Sequence, residues 1–173
     1  SIIELKNIIN KTIYMEMNFH LFPKKAKFIT GHDVLMQNGF DDTHDYVIEN
    51  TFEPAGYNCE RLYQATKQEV IESLNDNPTF FIYAGHGEED KFLLNLDVTP
   101  KIELSSDELL SADNNIYPIC FAFSCLTGNY GAYKCFGESW TRADAFSNSG
   151  NKGGVAYFGS SVETYYQSDR AIE

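Results

Sequence analysis

Two side chains with the chemistry of nucleophilic catalysis follow apolar segments of this chain. Cys125 comes just after the run Tyr117 to Phe123, and His86 comes just after the run Pro78 to Ala84. A thiol is an effective nucleophile only as the thiolate, so a reactive cysteine needs a nearby base or positive charge and access to solvent. The pair therefore predicts Cys125 as a nucleophile with His86 as its acid-base partner.

The immediate neighbours of His86 and Cys125 suit this chemistry. His86 lies between Gly85 and Gly87, which leaves the imidazole exposed and the Gly87 amide free to donate to an oxyanion. The loop after Cys125 contains Gly128, whose missing side chain lets backbone approach a ligand closely. A Gly-His-Gly segment alone is more typical of a surface turn, and it is the companion cysteine that favours catalysis.

A third, orienting acid is not fixed by spacing. Asp33 is the favoured candidate because it lies just past the strand-like run Ala26 to Thr30, and Glu53 is the alternative. A role for both as solvated turn acids is equally compatible with the sequence.

The other three cysteines are predicted to have structural roles. None belongs to a CxxC pair, which argues against a zinc site or a disulfide scaffold. Cys59 and Cys120 lie in strand-like runs and are predicted to be small buried side chains, while Cys135 is predicted to be a packed residue at a helix start.

The remaining histidines, His20, His32 and His44, lie among polar residues without metal-ligand spacing, which predicts surface positions. No cofactor is predicted to be required. The acidic charge of the chain is compatible with a structural Ca²⁺ ion.

Composition predicts one soluble globular domain over residues 1–173. Thirteen Lys and Arg against 25 Asp and Glu give a net charge of −12, which disfavours nucleic acid and anionic membranes as partners. No apolar run reaches the ~20 residues of a membrane-spanning helix. A start at Ser1 and a helical pattern at Glu173 are compatible with a fragment of a larger protein.

The elements that must position the two reactive residues alternate between strands and helices. Helical spacing of apolar residues from Ile2 to Tyr14 predicts an amphipathic helix, and Thr66 with Glu69 predicts a capped helix reaching Leu74. Strands are predicted at Ala26 to Thr30, Gly56 to Tyr63, Pro78 to Ala84, Tyr117 to Phe123 and Val155 to Phe158. A hairpin-like stretch is predicted at Phe92 to Leu96, and further helices are predicted before Asn50, from Ser105 and from Phe136 to Phe146. This alternation predicts an α/β fold with a mainly parallel sheet, whose carboxyl-end edge carries both His86 and Cys125.

Four blocks of the chain, in order, resemble the gingipain peptidase family. They are Phe81-Ile82-Tyr83-Ala84-Gly85-His86-Gly87, Ala122-Phe123-Ser124-Cys125-Leu126-Thr127-Gly128-Asn129-Tyr130, Cys135-Phe136-Gly137-Glu138-Ser139-Trp140 and Gly153-Gly154-Val155-Ala156-Tyr157-Phe158-Gly159-Ser160-Ser161. A histidine 39 residues before the cysteine also matches the chain order of caspases, although the caspase Gln-Ala-Cys signature is absent. The papain order, with the cysteine first, is excluded.

The resemblance implies a caspase-like three-layer α/β/α sandwich and a cysteine endopeptidase that acts through a thioester. In such an enzyme His86 protonates the leaving amine, and the amides of Gly87 and Cys125 hold the oxyanion. The family's pocket for the residue before the scissile bond corresponds here to Ala84, Phe123, Ser160, Ser161 and Tyr166, the last as an aromatic lid.

Family likeness also implies a protein or peptide substrate and a bacterial protein that is secreted, periplasmic or on the cell surface. The bulk of Phe123 disfavours a long basic side chain in the pocket, whereas Asp41, Asp42 and Asp45 are candidate acidic contributors to it. Two alternatives share the same residues. One is a sortase-like transpeptidase, and the other is a catalytically silent peptide-binding module.

Overall fold

The computed structural model describes residues 1–131, 134–143 and 152–164. The helices are α1 (Ile2–Asn18), α2 (Gln37–Val47), α3 (Lys67–Asn75), α4 (Ser106–Leu109) and α5 (Phe136–Arg142), with a 3₁₀ turn at Phe19–Leu21 and a π-helical turn at Ile48–Phe52. The strands are β1 (Lys25–Thr30), β2 (Asn58–Tyr63), β3 (Phe80–Ala84), β4 (His86–Glu88), β5 (Lys91–Asn95), β6 (Ile102–Ser105), β7 (Ile119–Phe123) and β8 (Ala156–Gly159).

A five-stranded parallel sheet forms the centre of the fold. Its strand order is β2-β1-β3-β7-β8, and every neighbouring pair is parallel. The inner strands β3 and β7 consist of apolar residues because both faces of such a sheet are covered. The predicted α/β architecture with a mainly parallel sheet is confirmed.

Helices pack on both faces of this sheet. On one face, a core that includes Phe81 and Cys120 packs against Val70 and Leu74 of α3 and against Trp140 of α5. On the other face, the core is built from Phe28, Ile82 and residues of α2 and the π-helical turn. The chain thus buries a layered core whose open edge is formed by the carboxyl ends of the strands.

A second sheet of three antiparallel strands, β4-β5-β6, continues from the end of β3. The sequence indicates only the middle strand, as the hairpin-like stretch Phe92 to Leu96. β4 has three residues with a glycine at its centre, and β6 runs directly into the cap of α4, so neither carries an alternating pattern long enough to be recognised.

Helix α1 is present as predicted, but its buried face is polar. The buried residues are Asn7 and Lys11, whereas Ile2, Leu5, Ile9, Ile13 and Met17 are exposed. Asn7 donates to the carbonyl of Arg142 at 3.2 Å, and the Lys11 ammonium donates to the carbonyls of Trp140 and Thr141. The last carbonyls of a helix lack partners within it, so α1 docks on α5 through hydrogen bonds.

Two expectations about single residues are wrong. His44 is only 1% exposed, because Phe40, His44 and Ile48 recur at helical spacing on the side of the segment that faces the sheet. Cys59 is half-buried instead of fully buried, because β2 is an edge strand. Cys120 is fully buried and Cys135 is a buried N-cap of α5, as predicted.

No helix among the described residues is long and apolar enough to cross a membrane.

Candidate active site

Asp33, His86 and Cys125 follow three neighbouring strands of the parallel sheet. β3 lies between β1 and β7, and Ala84 pairs with both Thr30 and Phe123. His86 and Cys125 lie two residues beyond the paired positions of their strands, and Asp33 lies three beyond. Because adjacent strands are about 4.8 Å apart, this register brings the three residues to one short stretch of the sheet edge.

His86 is held by Asp33. The His86 Nε2 atom lies 2.8 Å from Asp33 Oδ2, and the imidazole is about 41% exposed while the carboxylate is about 15% exposed. The other carboxylate oxygen accepts from the Leu35 amide at 2.9 Å. Nε2 of the neutral imidazole therefore donates its hydrogen to Asp33, and Nδ1 is left as the basic atom.

The Asp33 carboxylate is stabilised in its ionised form. Partial burial acts to raise its pKa, but the hydrogen bonds from the Leu35 amide and His86 outweigh burial, so the pKa lies below its ordinary value. A negative charge is thus fixed beside the His86 ring.

The alternative acid, Glu53, has a different neighbour. Its carboxylate lies 3.6 Å from Nη1 of Arg61 on the edge strand β2. Asp45 pairs with Arg61 at 2.7 Å and accepts from the Tyr63 hydroxyl at 2.9 Å, and Asp41 accepts from Thr30 at 2.8 Å. Asp33 is the acid in contact with His86.

Gly87 brings the histidine segment against the cysteine loop. A Cβ atom added to Gly87 would lie 2.8 Å from Thr127 Cγ2 and 3.0 Å from both the Cys125 carbonyl oxygen and Ser124 Cβ. Carbon and oxygen atoms in contact keep roughly 3.4 Å or more. The absence of a side chain at position 87 is therefore what allows the two loops to touch.

Tyr83 fixes the backbone that leads into His86. Its buried hydroxyl lies 2.8 Å from the His86 carbonyl and 3.0 Å from the Leu93 carbonyl, and its proton can satisfy one of them at a time. A Cβ atom at Gly31 or Gly85 would lie 2.7 or 2.5 Å from this hydroxyl oxygen. Gly85 thus makes room for the phenol group, a reason for the first glycine that the sequence alone does not reveal.

Cys125 is half-buried, and its sulfur lies next to Thr164. The Thr164 amide is 3.3 Å from Sγ, the Thr164 carbonyl 3.4 Å, and the Thr164 hydroxyl 3.7 Å. The segment after β8 is joined to the cysteine loop by Leu126 N to Val162 O at 3.1 Å and Gly128 N to Ser160 O at 2.8 Å. The chain after β8 therefore forms one wall around the sulfur.

The other three thiols are less suited to reaction. Burial raises the pKa of the Cys59 thiol, with a further contribution from Glu53. Burial likewise raises the pKa of Cys120 and of Cys135. A raised pKa keeps a thiol protonated at neutral pH and therefore poorly nucleophilic.

A cavity of about 420 Å³ lies beside Cys125, on the side of β7 and β8. It is lined by Phe121, Ala122, Phe123, Tyr157, Phe158, Gly159, Ser160 and Thr164. Of the five expected pocket residues, Phe123 and Ser160 line this cavity. Ala84 is buried and Ser161 is exposed, both outside the lining, and Tyr166 lies outside the described residues.

Two neighbours of the site have no sequence signal that would identify them. Phe40 of α2 packs edge-to-face on the His86 ring with centroids 6.3 Å apart, although the two residues are far apart in the chain. Thr164 touches the sulfur only because of the path that the chain takes after β8.

In the described part of the chain, no group of three or more His, Cys, Asp and Glu side chains is arranged to hold a metal ion. The chemistry available at this edge is that of a thiol, an imidazole, a carboxylate and backbone amides.

Comparison with known families places the whole chain in one of them. The model of peptidase family C25 matches residues 1–173. The chain belongs to peptidase family C25. Membership places this C25 chain among cysteine peptidases, and no curated protein sequence matches it.

Two solved structures similar to the C25 chain are of a gingipain. The crystal structure of gingipain R (RgpB), an Arg-specific cysteine proteinase, superimposes with a TM-score of 0.76 at 22% sequence identity, covering 98% of this chain and 40% of that one. The complex of the Porphyromonas gingivalis RgpB pro- and mature domains gives 0.75 at 22% identity, with coverage of 98% and 41%. The C25 chain therefore has the gingipain, caspase-like fold and spans about two fifths of the gingipain chains.

Proposed function

We propose that this C25 chain carries the catalytic centre of a cysteine endopeptidase, with Cys125 as nucleophile, His86 as acid-base and Asp33 as the residue that orients His86. The observation that carries the proposal is the 2.8 Å contact between His86 Nε2 and Asp33 Oδ2. His86 follows β3, which is adjacent to β7, the strand that precedes Cys125. It resembles the nucleophile, base and orienting acid of other acyl-transfer enzymes.

The proposed reaction begins when the Cys125 thiolate attacks the carbonyl carbon of the scissile peptide bond. A C–S bond forms and the carbonyl π electrons move to oxygen. When the tetrahedral intermediate collapses, the C–N bond breaks and His86 Nδ1 gives its proton to the leaving amine. Water then attacks the thioester, His86 accepts a proton from it, and the C–S bond breaks to restore the thiolate.

Backbone amides are available for the oxyanion. Glu88 and Lys91 are the paired residues on either side of the two-residue turn between β4 and β5. In an antiparallel pair, residues that exchange hydrogen bonds alternate with residues that do not. Gly87, one residue before Glu88, therefore has its amide directed away from β5. The Cys125 amide donates to no other described residue. Removing one such donor in other enzymes lowers kcat about 10²- to 10³-fold, so two amides are a substantial contribution.

The 420 Å³ cavity beside Cys125 is proposed to accept a side chain next to the scissile bond, with Phe123 and Ser160 in its lining and Ser161, Ala84 and Tyr166 as further candidates. The reaction as written needs no cofactor. From the likeness to gingipains we also propose a protein or peptide substrate and a secreted, periplasmic or cell-surface location.

Active-site labelling tests the proposal directly. A peptidyl acyloxymethyl ketone should alkylate one cysteine per chain, because the thiolate displaces the carboxylate leaving group. Labelling should disappear in Cys125→Ala and slow in His86→Ala. The matched control is Cys59→Ala, which removes the other half-buried thiol and should label like the parent protein. Failure to label Cys125, or equal labelling of Cys59, would refute the proposal and favour a silent binding module.

Peptide cleavage in the presence of an added amine separates the two enzymatic possibilities. A peptidase yields mainly hydrolysed product, whereas a sortase-like transpeptidase yields mainly the amide.

A further inference from the structure

A second cavity lies on the sheet face covered by α2. It has a volume of about 220 Å³, opens to solvent on one side, and is lined by Phe28, His44, Val47, Phe52, Phe80, Ile82, Phe121 and Phe123. We call it the His44 cavity. Seven of its eight lining residues are apolar, and no carboxylate is among them.

His44 is the unusual member of this lining. The residue is 1% exposed, and neither ring nitrogen has a hydrogen-bond partner among the residues that the structure describes. Its contacts are with aromatic rings, edge-to-face with Phe28 at 5.1 Å and tilted against Tyr63 at 6.2 Å. Burying a polar group without a partner is costly, so an unpaired imidazole in a cavity wall points to a ligand that supplies the missing hydrogen bond.

The His44 cavity lies next to the candidate active site along two elements. On β7, Phe123 lines the cavity and is two residues before Cys125. On α2, Phe40 contacts the His86 ring, and His44 follows one helical turn later. A peptide whose carbonyl lies at Cys125 can therefore direct a side chain into this cavity.

The chemistry of the lining selects the ligand. A cavity of roughly 150 Å³ between apolar side chains is enough to hold benzene, so 220 Å³ accommodates a substituted ring. Burial lowers the pKa of His44 to about 3, so the imidazole is neutral and offers one donor and one acceptor. The nearby carboxylates are already used, Asp45 by Arg61 and Tyr63, and Asp41 by Thr30. Burying an unpaired guanidinium or ammonium here would be strongly unfavourable.

We infer that the His44 cavity binds an aromatic side chain of the substrate that carries a polar tip, such as tyrosine, through a hydrogen bond to His44. This inference rests on the proposed peptidase function. It gives the C25 chain a preference that differs from the arginine specificity stated for gingipain R.

Side-chain analogues test the cavity independently of catalysis. The protein is titrated with p-cresol, toluene and n-propylguanidinium while the His44 imidazole signals are followed by NMR. We expect p-cresol to shift these signals and to bind about two- to tenfold more tightly than toluene, since one hydrogen bond is gained. We expect n-propylguanidinium to leave them unchanged.

Two variants identify the source of the preference. His44→Phe should bind toluene but lose the advantage of p-cresol. His20→Phe, the same change at an exposed histidine, should behave like the parent protein. Tighter binding of n-propylguanidinium than of p-cresol, no shift at His44, or an unchanged p-cresol advantage in His44→Phe would each overturn the inference.

Cleavage of a positional peptide library gives the second readout. One position should favour tyrosine over phenylalanine by about two- to tenfold in kcat/KM and over arginine by more, and the Tyr over Phe preference should vanish in His44→Phe. If arginine is the preferred residue at every peptide position where cleavage is selective, the inference is overturned and the peptidase function stands. If Cys125 fails to label and no peptide is cleaved, the peptidase function falls, and the p-cresol titration alone decides whether the cavity has the inferred chemistry.

Discussion

At the scale of single residues, the orientation of His86 decides which chemistry is available. Asp33 holds Nε2 at 2.8 Å, so Nδ1 is the nitrogen left for the proton transfers that we propose. In the proposed mechanism, the carboxylate also stabilises the imidazolium that forms when the thiol gives up its proton. Phe40 supports the ring from the side. Each contact restricts the imidazole before substrate binds.

Asp33→Asn should lower kcat by roughly 10²- to 10⁴-fold with a small effect on KM, because the neutral amide no longer stabilises the imidazolium. The measurement is steady-state cleavage of a fluorogenic peptide, and Asp33→Glu should restore part of the rate. Asp107→Asn is the control, since Asp107 pairs with Lys134 at 2.7 Å and is exposed. A normal kcat in Asp33→Asn would remove Asp33 from the mechanism.

At the scale of elements, the site depends on helices that hold the sheet edge in place. Helix α3 begins with a capping box in which the Glu69 amide donates to the Thr66 hydroxyl and the Thr66 amide donates to the Glu69 carboxylate. Val70 and Leu74 of this helix then pack into the core that also contains Tyr83. Stable packing of α3 thus supports β3, the strand that leads into His86.

Thr66→Ala should lower the free energy of unfolding by about 1 kcal/mol, because the side chain that caps the helix amide is lost. Urea denaturation followed by circular dichroism measures the effect. Thr66→Ser keeps the hydroxyl and should remain within a few tenths of a kcal/mol of the parent. Equal losses in the two variants would show that the cap contributes nothing.

The contact between α1 and α5 shows how tertiary structure can override an amphipathic pattern. Lys11 is fully buried, and its ammonium donates to the Trp140 and Thr141 carbonyls at the end of α5. Its ammonium also lies 5.4 Å from the centre of the Tyr117 ring. These contacts direct a polar face inward and leave the apolar residues of α1 exposed.

At the scale of the whole molecule, buried titratable groups link stability to pH. His44 has a pKa near 3 in the folded protein because burial disfavours its charged form, despite the opposite effect of Asp45. The unfolded chain binds a proton at this residue near pH 6.5, its ordinary value. Between these values the unfolded state binds more protons, so stability is full above pH 6.5 and falls as pH decreases.

His44→Phe should therefore flatten the dependence of stability on pH. From pH 7 to pH 5 the parent protein should lose about 2 kcal/mol more unfolding free energy than the variant, an order-of-magnitude figure from the linkage relation. Denaturant titrations of both proteins at each pH measure the difference. Parallel pH profiles would show that His44 is protonated alike in the folded and unfolded states.

The sequence by itself determined the parallel sheet and most strand positions, and it predicts Cys125 and His86 as the reactive pair. These features are local or periodic. Apolar runs of β-prone residues mark strands buried on both faces, and a capping threonine with an acid three residues later marks a helix start. A thiol and an imidazole that could react are recognised by residue type. Because each follows a strand of a parallel sheet, both are expected at the same edge of that sheet. Their catalytic roles stay predictions until labelling is done.

Only the tertiary structure decided which acid meets the imidazole, what surrounds the sulfur and which polar groups are buried. The sequence favoured Asp33 over Glu53 without excluding either, because spacing does not encode the path of a loop past a strand end. Thr164 reaches Cys125 through the route that the chain takes after β8. His44 and Lys11 are buried by packing between elements far apart in the chain. Such contacts depend on the relative positions of whole elements, which local patterns of residues do not specify.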